Sequence, residues 1–163
     1  MGLALGLLAG CAGYRLGPSN GMAAGDKSVE IRPFSNRTLE PRLTDALTLE
    51  LRRELQRDAT FRLASNDEAD IVVTGVITRY NRREMSLSST DTLTVRDYRV
   101  SLTAQVTARE RRTGKVLLQG QPVTGFALIR VGSDLTSSER QVLPELAADL
   151  AKHITALLSD GTW

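Results

Sequence analysis

The sequence predicts an α+β fold: a two-layer α/β sandwich, with two helices packed on one face of a four-stranded mixed sheet in the order β-α-β-β-β-α. Three patterns carry this reading. Leu43, Leu47, Leu51 and Leu55 recur every fourth residue, the spacing of one helix face. Tyr98, Val100, Leu102, Ala104, Val106 and Ala108 alternate with Arg99, Ser101, Thr103, Gln105, Thr107 and Arg109, the period of a strand with one buried and one wet face. Leu143, Leu146, Ala147, Leu150, Ala151, Ile154, Leu157 and Leu158 form a second, broader helical stripe. Apolar stripes and a one-sided sheet bury their surfaces against each other, which gives two layers.

Taken in order, Val29-Glu30-Ile31-Arg32-Pro33-Phe34 alternates and reads as the first strand, with Pro33 near its end or on an edge. Ser35-Asn36-Arg37-Thr38 is turn chemistry. The first helix is expected over residues 41–58, with Pro41 suited to its first turn and Ala46 beside the leucine stripe. Ile71-Val72-Val73-Thr74-Gly75-Val76-Ile77-Thr78 is a β-branched run with room to extend to Arg82. Residues 85–94 are rich in Ser and Thr and read as a long loop or a frayed hairpin end. After the alternating strand, Arg112-Thr113-Gly114-Lys115 is a hairpin turn, with Gly114 where φ must be positive. Residues 116–126 are its partner strand. The closing helix is expected over residues 137–158, capped by Ser137 or Ser138, with Glu139 in its first turn. Pro144 should kink it or act as a second start.

Bulk properties narrow the function. The chain has 163 residues, enough for one domain, and a net charge of +2, too small to argue for nucleic acid. One Cys rules out an internal disulfide, and one His excludes most His/Cys metal sites. No catalytic constellation is expected. His153 has no Ser or Cys partner nearby in sequence, the Asp67-Glu68-Asp70 cluster reads as solvated loop acids with Asp70 ending a turn before the strand, and Gly114-Lys115 lacks the rest of a phosphate loop. No enzyme activity, metal or free cofactor is therefore expected.

The N-terminus carries the sharpest local signal. Residues 1–10 are apolar, too short to span a bilayer, and fit the core of a secretory signal. Leu8-Ala9-Gly10-Cys11 resembles the lipobox of bacterial lipoproteins, although no basic residue follows Met1. The resemblance implies a signal peptide over residues 1–10 and lipidation of Cys11, as a diacylglyceryl thioether plus an N-acyl chain such as palmitate. Two or more chains anchor stably. Ala12 stands after the cysteine, and similarity to the sorting rule of enteric bacteria implies the outer membrane. Residues 11–27 are then a lipid-anchored flexible tether rich in Gly, Ser, Asn and Pro, and residues 28–160 a single domain.

Several stretches in fixed order resemble the LptE family of lipopolysaccharide-assembly lipoproteins. They are Cys11-Ala12-Gly13-Tyr14-Arg15-Leu16, Ile31-Arg32-Pro33-Phe34-Ser35-Asn36-Arg37-Thr38-Leu39-Glu40-Pro41, Ala69-Asp70 before the strand with Gly75, Tyr98-Arg99-Val100, Thr113-Gly114-Lys115-Val116-Leu117, and Glu139-Arg140 with Leu146-Ala147-Ala148-Asp149-Leu150-Ala151. The resemblance spans nearly the whole mature chain. It implies an outer-membrane lipoprotein on the periplasmic face that plugs the lumen of the LptD β-barrel, chaperones its assembly and binds lipopolysaccharide. The runner-up is another envelope lipoprotein with a TolB-N-terminal-like or curli-secretion-like domain, which residues 31–55 would also fit.

Basic residues are the candidates for ligand contact. Arg79, Arg82 and Arg83 follow the second strand, and Arg96 and Arg99 open the third. If these strands pair as a hairpin, the arginines gather at one end of the sheet. Arginine pairs bidentately with phosphate, and lipid A carries phosphates. Arg130, after the fourth strand, joins the set. The competing reading is a strand edge kept from aggregating by its charge. The face lined by Ser101, Thr103, Gln105 and Thr107, with the 85–94 segment, suits either a polar barrel lumen or plain water.

Overall fold

The computed structural model describes residues 24–65, 68–87, 95–130 and 134–161. Cys11, the expected signal peptide and the tether up to residue 23 lie outside the described residues. The elements are β1 (Ser28–Ile31), β2 (Ser35–Asn36), α1 (Leu43–Asp58), β3 (Arg62–Leu63), β4 (Ile71–Leu87), β5 (Val95–Glu110), β6 (Val116–Arg130) and α2 (Leu135–Ser159).

The fold class is α+β with two helices and a mixed sheet, but the sheet has six strands rather than four. The chain order is β-β-α-β-β-β-β-α. The two additional strands, β2 and β3, have two residues each and exist only through pairing: β2 runs parallel to β4 at Ser35↔Val76 and Asn36↔Ile77, and β3 runs parallel to β1. Two residues have no detectable period, so β2 read as turn and β3 was not foreseen. The sheet order is β3-β1-β4-β5-β6, with β2 on β4 beyond the end of β1. β1 and β4 are parallel, and the long β4-β5 and β5-β6 pairs are antiparallel.

The alternation of β5 does what its pattern requires. Val100, Leu102, Ala104, Val106 and Ala108 are fully buried under the helices. On α1, Leu43, Leu47, Leu51 and Leu55 are likewise fully buried. Leu146, Leu150 and Ile154 of α2 complete the core, with α2 lying over β6 and β5 and packed against α1. Two glycines set the layer spacing. A Cβ on Gly125 of β6 would lie 2.5 Å from the Leu150 backbone nitrogen, so α2 rests directly on the strand backbone. A Cβ on Gly75 of β4 would lie 2.3 Å from the Phe34 ring, which fills that space instead.

Several boundaries move for local reasons. α1 begins at Leu43, because Pro41 and Arg42 form the turn before it. It ends at Asp58 and is capped by Ala59, which takes the left-handed conformation. α2 begins at Leu135 rather than residue 137. Its cap is Asp134, whose carboxylate accepts the Thr136 and Ser137 amides at 3.2 and 2.8 Å, and not Ser137 or Ser138. α2 continues through Pro144 as a single helix and does not restart there. β4 continues to Leu87 and β6 to Arg130, past their expected ends, so residues 85–87 of the expected 85–94 loop are strand, and residues 88–94 lie outside the described residues. Gly114 has φ +71° in the expected hairpin turn.

Candidate functional site

Strands β4 and β5 run on together past the core, so every residue from Asn81 to Met85 is exposed. Which face each side chain takes is decided by a β-bulge at Thr78. Up to Ile77, which pairs with Ala104, odd-numbered β4 residues face the helices. Thr78 and Arg79 then share the single partner Thr103, and the Thr78 hydroxyl donates to the Thr103 carbonyl at 3.2 Å. One extra residue reverses the faces of all that follow. Tyr80 now opposes buried Leu102 and Arg82 opposes buried Val100, both on the helix side. Arg79, opposite Thr103, and Arg83, opposite Arg99, stand on the outer face.

The expected arginine cluster is therefore divided between two faces. Arg82 donates to Glu139 of α2 at 3.0 Å and lies 5.3 Å over the Tyr98 ring. The other Glu139 oxygen accepts the Tyr80 hydroxyl. Burial, and then this carboxylate, push the Tyr80 phenol well above the usual tyrosine range. Arg82 thus ties the hairpin to the helix and has its charge offset. Arg79, Arg83 and Arg99 share the outer face, and Arg130 joins them beside Asp97, 3.4 Å away. Arg96 belongs to β5, but its side chain lies outside the described residues.

Apolar residues missed by the sequence reading stand among these cations. Met85, Phe126 and Leu128 are 56%, 41% and 66% exposed. The Arg99 guanidinium sits 4.2 Å over the Phe126 ring. Met85, Arg99, Phe126, Ala127, Leu128 and Glu145 line an open cavity of about 440 Å³, and Met85, Asp97, Leu128 and Arg130 line another of about 480 Å³. The only available signal was in β6, where Gly125 and Ala127 alternate with Phe126 and Leu128: the small residues face in, because α2 needs the room, and the large ones face out. The arrangement can hold an amphiphile, with guanidinium forks for oxyanions and exposed apolar side chains for a hydrocarbon part.

Farther along the outer face, Arg37 joins Arg79. The Asn36 side chain pins the loop it starts, accepting the Thr38 amide and donating to the Glu40 carbonyl, both at 2.8 Å. The Arg37 amide donates to Ile77 at 2.9 Å, which sets Arg37 beside β4. Among the described residues no group of three His, Cys, Asp or Glu side chains converges to hold a metal ion. No helix among them is long and apolar enough to cross a membrane.

A scan against family models matches the LptE lipopolysaccharide-assembly family over residues 27–158, the whole folded domain. The chain belongs to the LptE family. No curated protein matches it. Among solved structures it is similar to a protein from Xanthomonas campestris, with a TM-score of 0.60, 10% identity and coverage of 90% of this chain and 91% of that one. It is also similar to a hypothetical protein from Chlamydia trachomatis, with a TM-score of 0.58, 15% identity and coverage of 86% and 98%. At such identities these likenesses show the fold alone. LptE is a non-enzymatic lipoprotein family, and membership supports reading the chain as an envelope lipoprotein with a part in lipopolysaccharide assembly.

Proposed function

We propose that this LptE-family protein is an outer-membrane lipoprotein, anchored on the periplasmic face through lipid on Cys11. In this reading it plugs an LptD-type β-barrel, chaperones its assembly and binds lipopolysaccharide. The observation that carries the binding is the outer face of the β4-β5-β6 end: Arg83 and Arg99, with Arg79 and Arg130 at the margins, around exposed Met85, Phe126 and Leu128. A phosphorylated glycolipid presents the complementary chemistry, oxyanions for the guanidiniums and acyl carbons for the apolar side chains. The Ser101-Thr103-Gln105-Thr107 row on the same face suits a polar lumen wall.

Two measurements test this. A photo-crosslinking residue at Phe126 or Leu128 should capture lipopolysaccharide in cells, and Arg83→Glu with Arg99→Glu should abolish capture. Arg82→Glu, which acts on the helix side, should affect stability more than capture. Unchanged capture in the double charge reversal would refute the binding surface. Affinity purification of the lipidated chain should bring down a large β-barrel, and recovery of soluble periplasmic proteins alone would refute the plug.

A further inference from the structure

A third cavity, where the loop after β2 meets β4, of about 430 Å³, is lined by Arg37, Thr38, Leu39, Glu40, Thr78, Arg79 and Tyr80. Most of its polar groups are already occupied. Thr38 donates its hydroxyl to Asn36, Thr78 donates to Thr103, and Tyr80 donates to Glu139. Glu40 accepts both Nε and Nη2 of Arg42, at 2.7 and 2.8 Å, and that pairing holds its carboxyl below the usual range. Two groups remain. Among the described residues the guanidiniums of Arg37 and Arg79 have no carboxylate or hydrogen-bond partner. The cavity therefore carries two uncompensated positive charges, one from the β2 loop and one from the residue the Thr78 bulge turns outward. Leu39, wholly exposed, stands at its rim.

We propose that this cavity binds a phosphate monoester. Two guanidiniums match a dianion in charge, and the terminal oxygens of a monoester can accept from both forks at once. A carboxylate would neutralise only one of them. Leu39 offers apolar contact to the group esterified to the phosphate. Arg79 also stands at the margin of the proposed lipopolysaccharide surface, but Arg37 does not, and neither Arg83 nor Arg99 lines this cavity: Arg79 and Arg83 are four strand residues apart, about 13 Å. The inference does not rest on the lipopolysaccharide reading, and each can fail without the other.

The test is a titration of the isotope-labelled soluble chain with hexyl phosphate, followed through backbone amide signals. Saturable shifts should centre on residues 37–40 and 78–80. Arg37→Gln and Arg79→Gln, both at exposed positions, should each weaken binding about tenfold or more, as expected for loss of a charged hydrogen-bonding partner. Arg57→Gln, an exposed α1 arginine paired with Glu54 and outside both proposed surfaces, should bind as the wild type does, and hexanoate should bind at least tenfold more weakly than hexyl phosphate. Sedimentation with vesicles distinguishes the source of the monoester. Arg37-dependent binding to phosphatidic acid vesicles, and none to phosphatidylcholine, assigns a lipid headgroup; binding of the soluble ester alone assigns a soluble phosphate. Either outcome supports the site. Equal affinity in Arg37→Gln, Arg79→Gln and wild type would overturn it, as would equal losses in all three arginine variants or hexanoate binding as tightly as the phosphate.

Discussion

Gly125→Ala is the most direct probe of how the two layers meet. The added Cβ would sit 2.5 Å from the Leu150 nitrogen and 2.8 Å from its Cα, where unstrained carbon contacts are about 3.5–4.0 Å. The obstruction is helix backbone, so α2 as a whole must retreat by about 1 Å. That retreat loosens Leu146, Leu150 and Ile154, all fully buried on the sheet. Overpacking of this kind costs roughly 1–3 kcal/mol. Gly75→Ala meets a different obstacle, since its Cβ would lie 2.3–2.7 Å from three atoms of the Phe34 ring. Urea unfolding should show lower midpoints for both variants at unchanged slope. The two should part in double-mutant cycles. Phe34→Leu makes room beside residue 75, so it should couple favourably with Gly75→Ala by about 1 kcal/mol. Leu150→Ala keeps the backbone atoms and Cβ that obstruct residue 125, so it should give no rescue of Gly125→Ala. A Gly125→Ala midpoint equal to wild type, or full rescue by Leu150→Ala, would refute the proposed contact.

Three further outcomes follow from the packing and the hydrogen bonds. Leu47→Ala removes a fully buried side chain from the centre of the α1 stripe and should cost about 2–5 kcal/mol in urea or thermal unfolding. Asp70 accepts the Ser28 amide at 2.8 Å and its hydroxyl at 2.7 Å, and these bonds hold the carboxyl below its usual range. A carboxyl lowered in the folded state stabilises above its unfolded pKa, and that contribution is lost as pH falls through the folded value. Asp70→Ala should therefore lower the urea midpoint at neutral pH, and the gap to wild type should close in acid; a gap independent of pH would contradict this. Glu139→Gln should bring the alkaline titration of Tyr80, read by tyrosinate absorbance, down toward the ordinary range without reaching it, because burial remains the larger cause.

What periodicity could show, it showed. Each of the four leucines of α1 is fully buried, and β5 keeps its alternation from Val100 to Ala108. These segments are long enough for a period to register, and their partners are apolar surfaces that any good core supplies. The features that escaped reading depend on a partner or on a single residue. β2 and β3 are strands only because β4 and β1 lie beside them. Asp134 and Ser137 are both residues that can cap, and the choice rests on where the chain leaves β6. Arg37 read as part of a turn, and nothing local says that it reaches the same cavity as Arg79 forty-two residues later. Phe126 and Leu128 pair with outward-facing Ser101 and Arg99, and only the close approach of α2 at Gly125 explains why the small residues of β6 face in and these large ones face out.

The Thr78 bulge decides most about the arginines. Arg82 and Arg83 are neighbours in sequence with the same charge, yet the structure gives them opposite uses. Arg82 stands on the helix side, bonded to Glu139 and stacked on Tyr98, and braces a hairpin that extends beyond the apolar core. Arg83 stands opposite Arg99 on the outer face, where two like charges on adjacent strands repel unless an anion lies between them. Without the bulge the order would invert: Tyr80 and Arg82 would turn to the outside, and Arg79 and Arg83 would meet the helix layer. The brace and the open charged face are therefore two consequences of one inserted residue. A ligand that neutralises Arg83 and Arg99 would also relieve their repulsion, so binding there should stiffen the same hairpin that Arg82 already holds from the other side.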